Sequence, residues 1–532
     1  MKQWPFLLLG ILSLCSCKKY LATKPQDFLA PETYYNTEAD LTAALMSVYD
    51  ELGDKDEGTY SRNLIVELAL PTDEAYMRTT TNSAAAPSLF YTADASMTQF
   101  QTCWSNLYVG INRANLLLEN IDKAAVSDSV KSVIRGEALF LRAYYHFVLV
   151  SYWGDVPLKL HSTQSAEDVV TPRSPSAAVY AQVIEDMTQA ETLVRDVAAI
   201  GFSGRISKTA VEGVLARVCL FAAGRLKQPA YYKEARDWAW KVIQSGEHTL
   251  NSSYAQIFIN QAQDIYDIGE SMWEVEFYGN GIGTSYFEAE RFGAVIGIRN
   301  DNEILYNMGW LIATGTLYNL YDTADLRRDR CLSTFYYSGN NTATHVSYPA
   351  TLKWGRYPAK WRREEELQSP LAKNYGSVNF PLLRYADVLL MFAEADNEWN
   401  GAPTQEAYDA VNQVRRRAYG KSLNTADAVA DVPTGLTYSQ FAAFIKNERA
   451  RELAFEGIRK LDLLRWGTFI STMKSMVDSI NLNAPTSSSY SYSGNATALL
   501  PYQNVSDRDT LFPIPTLEMS VNTAITNNNP GW

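Results

Sequence analysis

Apolar residues recur at helical spacing along the first half of the chain, and the clearest stripe ends at Tyr152. Its members are separated by alternating steps of four and three residues, which places them on one face of a helix. The break from Gly154 to Pro157 predicts where this helix ends. The stripe consists of Ile134, Ala138, Leu141, Tyr145, Val148 and Tyr152.

The same periodicity predicts further helices on either side of this stripe. Thr37 precedes an acidic first turn and an apolar run, which is typical of a capped amphipathic helix. A long helical pair is predicted from about Gln99 to Tyr152. A second pair is predicted over about 207–224 and 231–245, where Cys219 lies within an apolar pattern and is expected in the core.

The residue composition changes between about residues 250 and 380, where Gly, Asn, Ser, Thr and Tyr dominate and helical periodicity fades. Loops with short strands are predicted for this insertion. Disordered segments contain few aromatic residues, whereas this insertion contains many. We therefore expect it to be an ordered loop region that forms a surface. Helices return near Leu382, and the stretch from about Ser487 to Trp532 is again loop-like. The insertion carries Trp273, Tyr278, Tyr286, Phe287, Trp310, Tyr318, Tyr336, Tyr337, Trp354 and Trp361.

Two helix pairs resemble tetratricopeptide units, which place bulky residues early and small residues where the helices cross. One pair reads LARVCLFAAG followed by YYKEARDWAWKVI, and the other reads LLMFAEADNEW followed by EAYDAVNQVRRRA. A chance helical hairpin would share much of this pattern, so periodicity alone leaves both interpretations open.

The first seventeen residues, MKQWPFLLLGILSLCSC, predict that the chain is exported. Their apolar run of about eleven residues is too short to cross a bilayer but has the length of a signal-peptide core. The end of the run resembles a lipobox, which predicts cleavage after residue 16 and acylation of Cys17. The alternative is an ordinary secretory signal with two incidental cysteines. No other apolar run reaches about eighteen residues, so we expect a soluble, lipid-tethered body.

Three regions follow from these patterns. They are a lipoprotein signal peptide at 1–16, an N-terminal helical region at 17–250, and a C-terminal region at 251–532 with the aromatic insertion and the returning helices.

Composition narrows the class of protein further. The chain has 532 residues, of which 46% are hydrophobic and 20% are charged, as in folded globular proteins. Its net charge of −12 argues against a nucleic-acid partner. Tyr and Trp are abundant, and their amphipathic rings suit wet recognition surfaces.

Motifs for catalysis or metal binding are missing from the sequence. Neither a CxxC pair, a Cys/His cluster, an HExxH motif, a GxSxG motif nor a phosphate loop can be written, so we predict no enzyme, metal site or cofactor. The charged segment ERARELAFEGIRKLDLLRW has carboxylates and basic residues at helical spacing, which indicates structural ion pairs. The predicted pairs are Glu448 with Arg451, Glu456 with Arg459 and Lys460, Asp462 with Arg465, Glu137 with Arg142, and Glu394 with Arg384.

Seven segments, in order, resemble the SusD/RagB family of nutrient-binding outer-membrane lipoproteins. They are CKKYLATKPQ after the lipobox, EALFLRAYYHFVLVSYWGDVPL, RISKTAVEGVLARVCLFAAG, FPLLRYADVLLMFAEADNE, VRRRA, ERARELAFEGIRKLDLLRWG and the C-terminal FPIPTLEMSVNTAITNNNPGW. Seven segments are a more specific match than one short motif.

The resemblance implies a mainly α fold, a SusD-like superhelix of tetratricopeptide-like repeats with a long loop-rich insertion. It also implies a lipid-anchored protein on the outer membrane, facing the cell surface, that takes part in polysaccharide utilisation. Such a protein binds an oligosaccharide or polysaccharide and passes it to a SusC-like TonB-dependent barrel.

Ligand groups in this family come mainly from the loop before the Trp104 helix and from the insertion. Amphipathic rings stack on the C–H face of a sugar, while planar polar groups meet its hydroxyls. For each candidate residue the alternative is ordinary loop packing. The candidates are Asp73, Tyr76, Arg78, Asn82 and Tyr91 in the first loop, and Tyr278, Tyr286 and Trp310 in the insertion.

Other functions remain open on the sequence alone. A lipid-tethered glycoside hydrolase would need two carboxylates about 5 to 9.5 Å apart in a cleft. A member of the family that binds peptides, or a structural repeat adaptor, is a further alternative.

Overall fold

The computed structural model describes residues 34–53, 58–80, 86–279, 288–301, 305–338, 343–368 and 371–532. The protein is mainly helical, with 54% helix and few strands, which confirms the predicted fold class. The predicted signal peptide and Cys17 lie outside the described residues.

The helices of the described residues are distributed along the whole chain. The α-helices are α1 (Glu38–Gly53), α2 (Ala86–Leu89), α3 (Thr98–Asn120), α4 (Asp128–Trp153), α5 (Ser176–Glu191), α6 (Val197–Ile200), α7 (Lys208–Leu226), α8 (Ala230–Ser245), α9 (Tyr254–Ala262), α10 (Phe292–Val295), α11 (Gly315–Leu320), α12 (Arg327–Cys331), α13 (Tyr385–Asn400), α14 (Gln405–Ala418), α15 (Tyr438–Glu452), α16 (Arg459–Arg465), α17 (Phe469–Asn483), α18 (Asn495–Ala498), α19 (Leu500–Asn504) and α20 (Thr516–Val521). A π-helix spans Thr59–Ala69, and short 3₁₀ turns span Ile121–Lys123, Glu167–Val169, Arg363–Glu365 and Asp507–Thr510.

Short strands form three two-stranded antiparallel ladders. The strands are β1 (Ala75–Met77), β2 (Ser271–Val275), β3 (Leu311–Ala313), β4 (Phe335–Tyr337), β5 (His345–Ser347) and β6 (Phe380–Arg384). β1 pairs with β3, β2 pairs with β6 through a β-bulge, and β4 pairs with β5 in a hairpin. The first ladder ties the loop before α3 to the insertion.

The scaffold is a series of helices in which each packs on its neighbours. α3 packs on α4, α4 on α5, α5 on α7, α7 on α8, and α8 on α13, which also contacts α14 and α15. The two predicted tetratricopeptide-like units correspond to the pairs α7–α8 and α13–α14. One hydrophobic core of buried residues runs through the helices and the insertion.

Local chemistry explains where the predicted helices begin and end. At the start of α1, the Thr37 hydroxyl accepts a hydrogen bond of 3.2 Å from the Asp40 amide. The Asp40 carboxylate in turn accepts a hydrogen bond of 2.9 Å from the Thr37 amide, which completes a capping box. The Ser127 side chain caps α4 by accepting a hydrogen bond from the Val130 amide. α4 ends at Gly154, whose φ of 74° suits glycine.

A close approach of α3 and α4 depends on Gly110. A Cβ atom at this position would lie 2.4 Å from Cε2 of Tyr145, on the predicted stripe of α4. The Tyr145 ring therefore packs directly on the backbone of α3, and its hydroxyl donates to the Val48 carbonyl of α1. Glycine at 110 lets three helices share one tightly packed contact.

The insertion contains more helix than the sequence predicts. α9 to α12 lie within it, beside the expected loops and short strands. These helices have four to nine residues, so their apolar positions are too few to show a periodic pattern. In α9 the signal is Ser253, which caps the helix by accepting the Gln256 amide.

A buried network of arginines and carboxylates joins the insertion to the C-terminal helices. Arg384 contacts Glu270 at 2.9 Å, Glu452 at 3.0 Å and Glu456 at 2.7 Å. Arg327 contacts Glu448 at 2.7 Å and Glu452 at 3.0 Å, and all these side chains are buried. The charged segment is therefore structural, as its spacing predicted.

The charge balance of this network favours ionised carboxylates. Burial opposes the ionisation of Glu448, but Arg327, Arg451 and Arg415 outweigh that effect and hold its pKa well below the usual range. The predicted pairs of Glu448 with Arg451 at 2.7 Å and of Asp462 with Arg465 at 2.8 Å are both confirmed.

Four of the predicted pairs are wrong, namely Glu456–Arg459, Glu456–Lys460, Glu137–Arg142 and Glu394–Arg384. Glu456 binds Lys360 and Arg384, whereas Arg459 binds Asp73 and Lys460 donates to the Leu68 carbonyl. The remaining partners also come from distant parts of the chain, which helical spacing cannot reveal. Glu137 pairs with Arg205, Arg142 with Asp186, and Glu394 with Arg465.

The predicted core position of Cys219 is confirmed, and Cys103 and Cys331 are likewise buried and free. None of the helices in the described ranges combines the length and apolar character that a bilayer crossing requires.

Candidate functional site

A cavity of about 300 Å³ lies where three separate segments of the chain meet. One segment leads from α10 toward β3, the second comprises the β4–β5 hairpin and the loop after it, and the third is the loop before α18. We call this cavity the tyrosine cleft. Its lining residues are Arg299, Asn300, Asp301, Tyr336, Tyr337, Tyr357, Tyr490 and Ser491.

The rings of the tyrosine cleft are arranged at steep angles to one another. The centroids of Tyr336 and Tyr490 are 5.7 Å apart with an interplanar angle of 61°. Both rings contact Tyr348, which is buried behind them, at 5.2 Å and 5.6 Å. Tyr490 is 55% exposed, so one large ring reaches solvent from a packed aromatic base.

The backbone of Tyr490 is held in an unusual conformation. Its φ is 54°, in the left-handed region that residues other than glycine rarely adopt. The loop is fixed on both sides, because Ser489 and Tyr492 bond each other through their backbones and the Ser491 hydroxyl bonds the Tyr348 hydroxyl at 3.1 Å. This arrangement keeps the Tyr490 ring at the mouth of the cleft.

The floor of the cleft is formed by Tyr357 and the segment that includes Asn300. Tyr357 is buried, and burial raises the pKa of its phenol. Gly309 lies against it: a Cβ at 309 would be 2.7 Å from the Tyr357 ring and 2.6 Å from Cβ of Arg299. Asn300 and Asn307 exchange backbone hydrogen bonds of 3.0 Å, which holds these two residues side by side.

The hairpin supplies the other wall. Tyr337 donates its hydroxyl to Glu364 at 3.1 Å, and Nε2 of His345 lies 2.9 Å from the same carboxylate. His345 also stacks on Phe335 with centroids 3.7 Å apart. These contacts fix the position of β4, and therefore of Tyr336, relative to the cleft.

Two of the predicted ligand residues, Arg78 and Trp310, lie at the edge of the cleft. The Arg78 amide donates to the Trp310 carbonyl at 2.7 Å, and Nε of Arg78 donates to the Gly309 carbonyl at 3.0 Å. The Trp310 ring faces the Arg62 guanidinium at 5.6 Å. The structure thus brings together residues that the sequence places in two different loops.

Three other predicted residues are buried rather than displayed on a surface. Asp73 forms a two-point ion pair with Arg459, with distances of 2.9 Å and 2.7 Å. Tyr76 lies in β1 within the core, and Tyr91 donates its hydroxyl to the Pro71 carbonyl. Burial leaves neither ring with a face toward solvent, because the loop before α3 packs under the C-terminal helices.

Tyr278 is 75% exposed, its backbone pairs with Glu288, and it is not among the lining residues of the cleft. Asn82 and Tyr286 lie outside the described residues. Of the other aromatic residues of the insertion, Trp273, Trp354 and Trp361 are core residues.

Sequence reasoning missed most residues of the cleft. Tyr336 and Tyr337 belong to the aromatic residues of the insertion but are not among the predicted ligand residues. Tyr490 and Ser491 lie in the segment SSSYSYSG, whose polar and aromatic alternation was the available signal. Arg299 and Asp301 carry no sequence signal, because only the fold brings them beside the tyrosines.

No group of three His, Cys, Asp or Glu side chains suited to a metal ion occurs in the part of the chain that the structure describes. Of the lining residues of the cleft, Asp301 is the one carboxylate, and it lies 3.1 Å from Arg299.

Comparisons with known proteins identify similar sequences and folds. A sequence model described as "SusD family" matches residues 297–532, and one described as "Starch-binding associating with outer membrane" matches residues 19–220. SusD-like protein P2 of Formosa agariphila is 27% identical, with 98% of each chain covered.

Solved structures agree with these sequence matches. A SusD homologue from Bacteroides thetaiotaomicron superposes with a TM-score of 0.84 at 26% identity, covering 94% of this chain and 98% of that one. Surface glycan-binding protein A from Bacteroides fluxus has a TM-score of 0.70 at 21% identity, covering 93% and 100%. The predicted family resemblance is confirmed.

Proposed function

The chain belongs to the SusD-like family, and on this premise we propose that it binds an oligosaccharide or polysaccharide in the tyrosine cleft. The observation that carries the proposal is an open cavity in which tyrosines from two segments meet polar and charged residues of a third. The name of the Bacteroides fluxus relative, a surface glycan-binding protein, supports the same class of ligand.

The chemistry of the lining suits a sugar. A pyranose exposes C–H groups on its face and hydroxyl groups around its rim, so it needs an amphipathic ring beside polar groups. Tyr490 and Tyr336 offer the rings, while Ser491, Asn300 and Asp301 offer donors and acceptors at the rim. The volume of about 300 Å³ is at the lower end of the range for ligand sites.

The predicted ligand residues take different roles in this proposal. Arg78 and Trp310 extend the site at the edge of the cleft, and exposed Tyr278 offers a further contact for a longer glycan. Asn82 and Tyr286 remain predicted contacts. Asp73, Tyr76 and Tyr91 support the loop from below through their buried contacts.

Delivery of the glycan is a further part of the proposal. Acylation of Cys17 would hold the protein at the outer membrane, facing the cell surface. From there it would pass bound glycan to a SusC-like TonB-dependent barrel. The family description that associates a matching model with the outer membrane supports this location.

Binding without turnover is the favoured mode of action. A glycoside hydrolase needs two carboxyl groups flanking one bond. Among the described lining residues, Asp301 is the one carboxylate, and it lies 3.1 Å from Arg299, so the second carboxyl group that hydrolysis requires is not found there.

A screen of purified protein from Lys18 to Trp532 against a glycan panel tests the proposal. We expect at least one glycan to retard the protein in an affinity gel, with no shorter products after prolonged incubation. Release of products would favour the hydrolase. Retention of none of the glycans would contradict the proposed function.

A further inference from the structure

Arg78 presents an uncompensated positive charge at the edge of the tyrosine cleft. Its backbone is fixed by the Trp310 carbonyl, and its Nε donates to the Gly309 carbonyl at 3.0 Å. Arg78 is partly buried, and its Nη1 and Nη2 have no hydrogen-bond partner among the described residues, so both groups can donate to a ligand. Among the described residues, no carboxylate forms an ion pair with Arg78.

The position of Arg78 relative to the cleft follows from its neighbours. Gly309, which accepts from Arg78, packs against both Arg299 and Tyr357 of the lining. The Ser493 hydroxyl donates to the Arg78 carbonyl, two residues beyond Ser491 in the same loop. Arg78 is thus connected to two of the three segments that form the cleft.

The electrostatic effect of Arg78 reaches the floor of the cleft. Burial raises the pKa of the Tyr357 phenol, whereas a hydrogen bond to Ser491 and the positive charges of Arg78 and Arg299 lower it; Asp301 acts in the opposite direction. Two cations and one anion therefore act on the same hydroxyl.

Other charges near the cleft are already engaged. Arg299 and Asp301 are 3.1 Å apart and offset one another. On the hairpin side, the Glu364 carboxylate accepts from Tyr337 and contacts His345. Arg78, in contrast, pairs with no carboxylate among the described residues, in a chain whose net charge is −12.

We propose that the tyrosine cleft binds acidic glycans, and that Arg78 recognises their anionic group. This inference rests on the proposed glycan-binding function and specifies its substrate class. A guanidinium binds a carboxylate or a sulfate through two parallel hydrogen bonds, a geometry that a neutral sugar hydroxyl does not match. A uronic acid and a sulfate ester share this chemistry.

Matched pairs of glycans test the inference on the unmodified protein from Lys18 to Trp532. Oligogalacturonate is compared with its methyl ester, and chemically sulfated laminarin with laminarin, by titration calorimetry. We expect the acidic member of one pair to bind about tenfold more tightly, with affinity falling as salt is added. The pair that shows the preference identifies a carboxylate or a sulfate as the recognised group.

Two outcomes separate this inference from the function on which it rests. Equal binding of acidic and neutral members would overturn the acidic preference while glycan binding stands. Binding of none of these glycans, nor of any glycan in the wider panel, would overturn both.

Variants assign the preference to Arg78. Arg78→Met should remove the tenfold difference and the salt dependence, so that the acidic and neutral members bind with similar affinity. Arg195→Met removes an exposed charge from the turn after α5 and should leave the preference intact. Asp301→Asn keeps Arg78 and removes the ion-pair partner of Arg299, so it should strengthen the binding of acidic glycans. An unchanged preference for acidic glycans in Arg78→Met would contradict the assignment to Arg78. Weaker binding of acidic glycans in Asp301→Asn would also contradict it.

Discussion

At the scale of single residues, the chemistry of this protein depends on which side chains are buried. Tyr76 and Tyr490 have the same side chain, yet the first is enclosed in the core and the second is 55% exposed. Burial of a polar or charged group is tolerated where partners satisfy it, as the Asp73–Arg459 pair shows. The exposed ring is available for a ligand.

The network around Arg384 gives a prediction at this scale. Arg384→Met would leave Glu270, Glu452 and Glu456 buried with fewer partners. Removing one partner of a buried ion pair costs about 3 to 5 kcal/mol, and we expect a loss of that size in urea-induced unfolding. Lys233→Met, which removes the exposed Lys233–Asp237 pair, should cost less than about 1 kcal/mol. Equal losses in the two variants would contradict this account.

Spacing along the sequence predicted some of these ion pairs correctly. The contacts of Glu448 with Arg451 and of Asp462 with Arg465 follow from spacing on a helix. Glu456 instead binds Lys360 and Arg384, far away in the chain. Local spacing predicts contacts within a helix, whereas Glu456 lies in the turn between α15 and α16, where the tertiary fold determines its partners.

At the scale of elements, the long helices were predictable because each carries several turns of apolar periodicity and a clear break. α4 shows both features, in its stripe and in Gly154. The short helices α9 to α12 lack the turns that would reveal a period. The tyrosine cleft was not predictable for a related reason: its walls are loops whose meeting depends on the ladders β1–β3 and β4–β5.

Gly110 gives a prediction about the packing of α3 on α4. In Gly110→Val the Cβ atom would start 2.4 Å from the Tyr145 ring, so the two helices must separate. Overpacking of this kind lowers the free energy of unfolding by up to about 3 kcal/mol, and occasionally by more. This loss outweighs any gain in helix propensity from replacing glycine. Thermal and urea unfolding measure the loss.

Thr102→Val is the matched control for this test, because it places the same side chain on α3 at a partly exposed position. Its free energy of unfolding should change by less than about 0.5 kcal/mol. A stability of Gly110→Val equal to that of the control would show that α3 and α4 do not meet closely.

Glu74, next to β1, gives a prediction about pH. Burial raises the pKa of Glu74 to about 8, with Arg459 opposing and Asp73 adding to the shift. The folded state therefore holds a proton that the unfolded state releases near 4.5, so this group's contribution to stability falls as pH rises from about 4.5 through about 8.

In Glu74→Gln the titrating group is replaced by a neutral side chain of the same shape. The stability of the original protein should fall relative to this variant between pH values of about 5 and 9, measured by urea unfolding. A constant difference between the two proteins across this range would contradict the raised pKa.

At the scale of the whole molecule, a helical scaffold carries an irregular insertion and a cleft built from three distant segments. The scaffold is held by buried ion pairs and a common core, so it can present loops in fixed positions. The predicted lipid anchor, at Cys17, would place this body at a membrane while leaving the cleft free.

The anchor gives a prediction for the full chain. Cys17→Ser removes the sulfur that would be acylated, so we expect the protein to leave the membrane fraction of the producing cells. Radiolabelled palmitate should label the original protein and not the variant. Ser16→Ala keeps Cys17 and a small residue before it, and it should retain both label and membrane association. Membrane retention of Cys17→Ser without label would contradict lipid anchoring through this residue.

The most direct test of the central claim measures glycan affinity when two rings that line the cleft, Tyr336 and Tyr490, are removed. The double variant Tyr336→Ala with Tyr490→Ala is compared with Tyr438→Ala, which removes a 40% exposed tyrosine from α15 outside the cleft. With the glycan that the screen identifies, we predict a loss of about fivefold to a hundredfold in the double variant, since stacking on two rings contributes about 1 to 3 kcal/mol in total. Tyr438→Ala should bind like the original protein. Undiminished affinity in a folded double variant would contradict the claim that the tyrosine cleft binds the glycan.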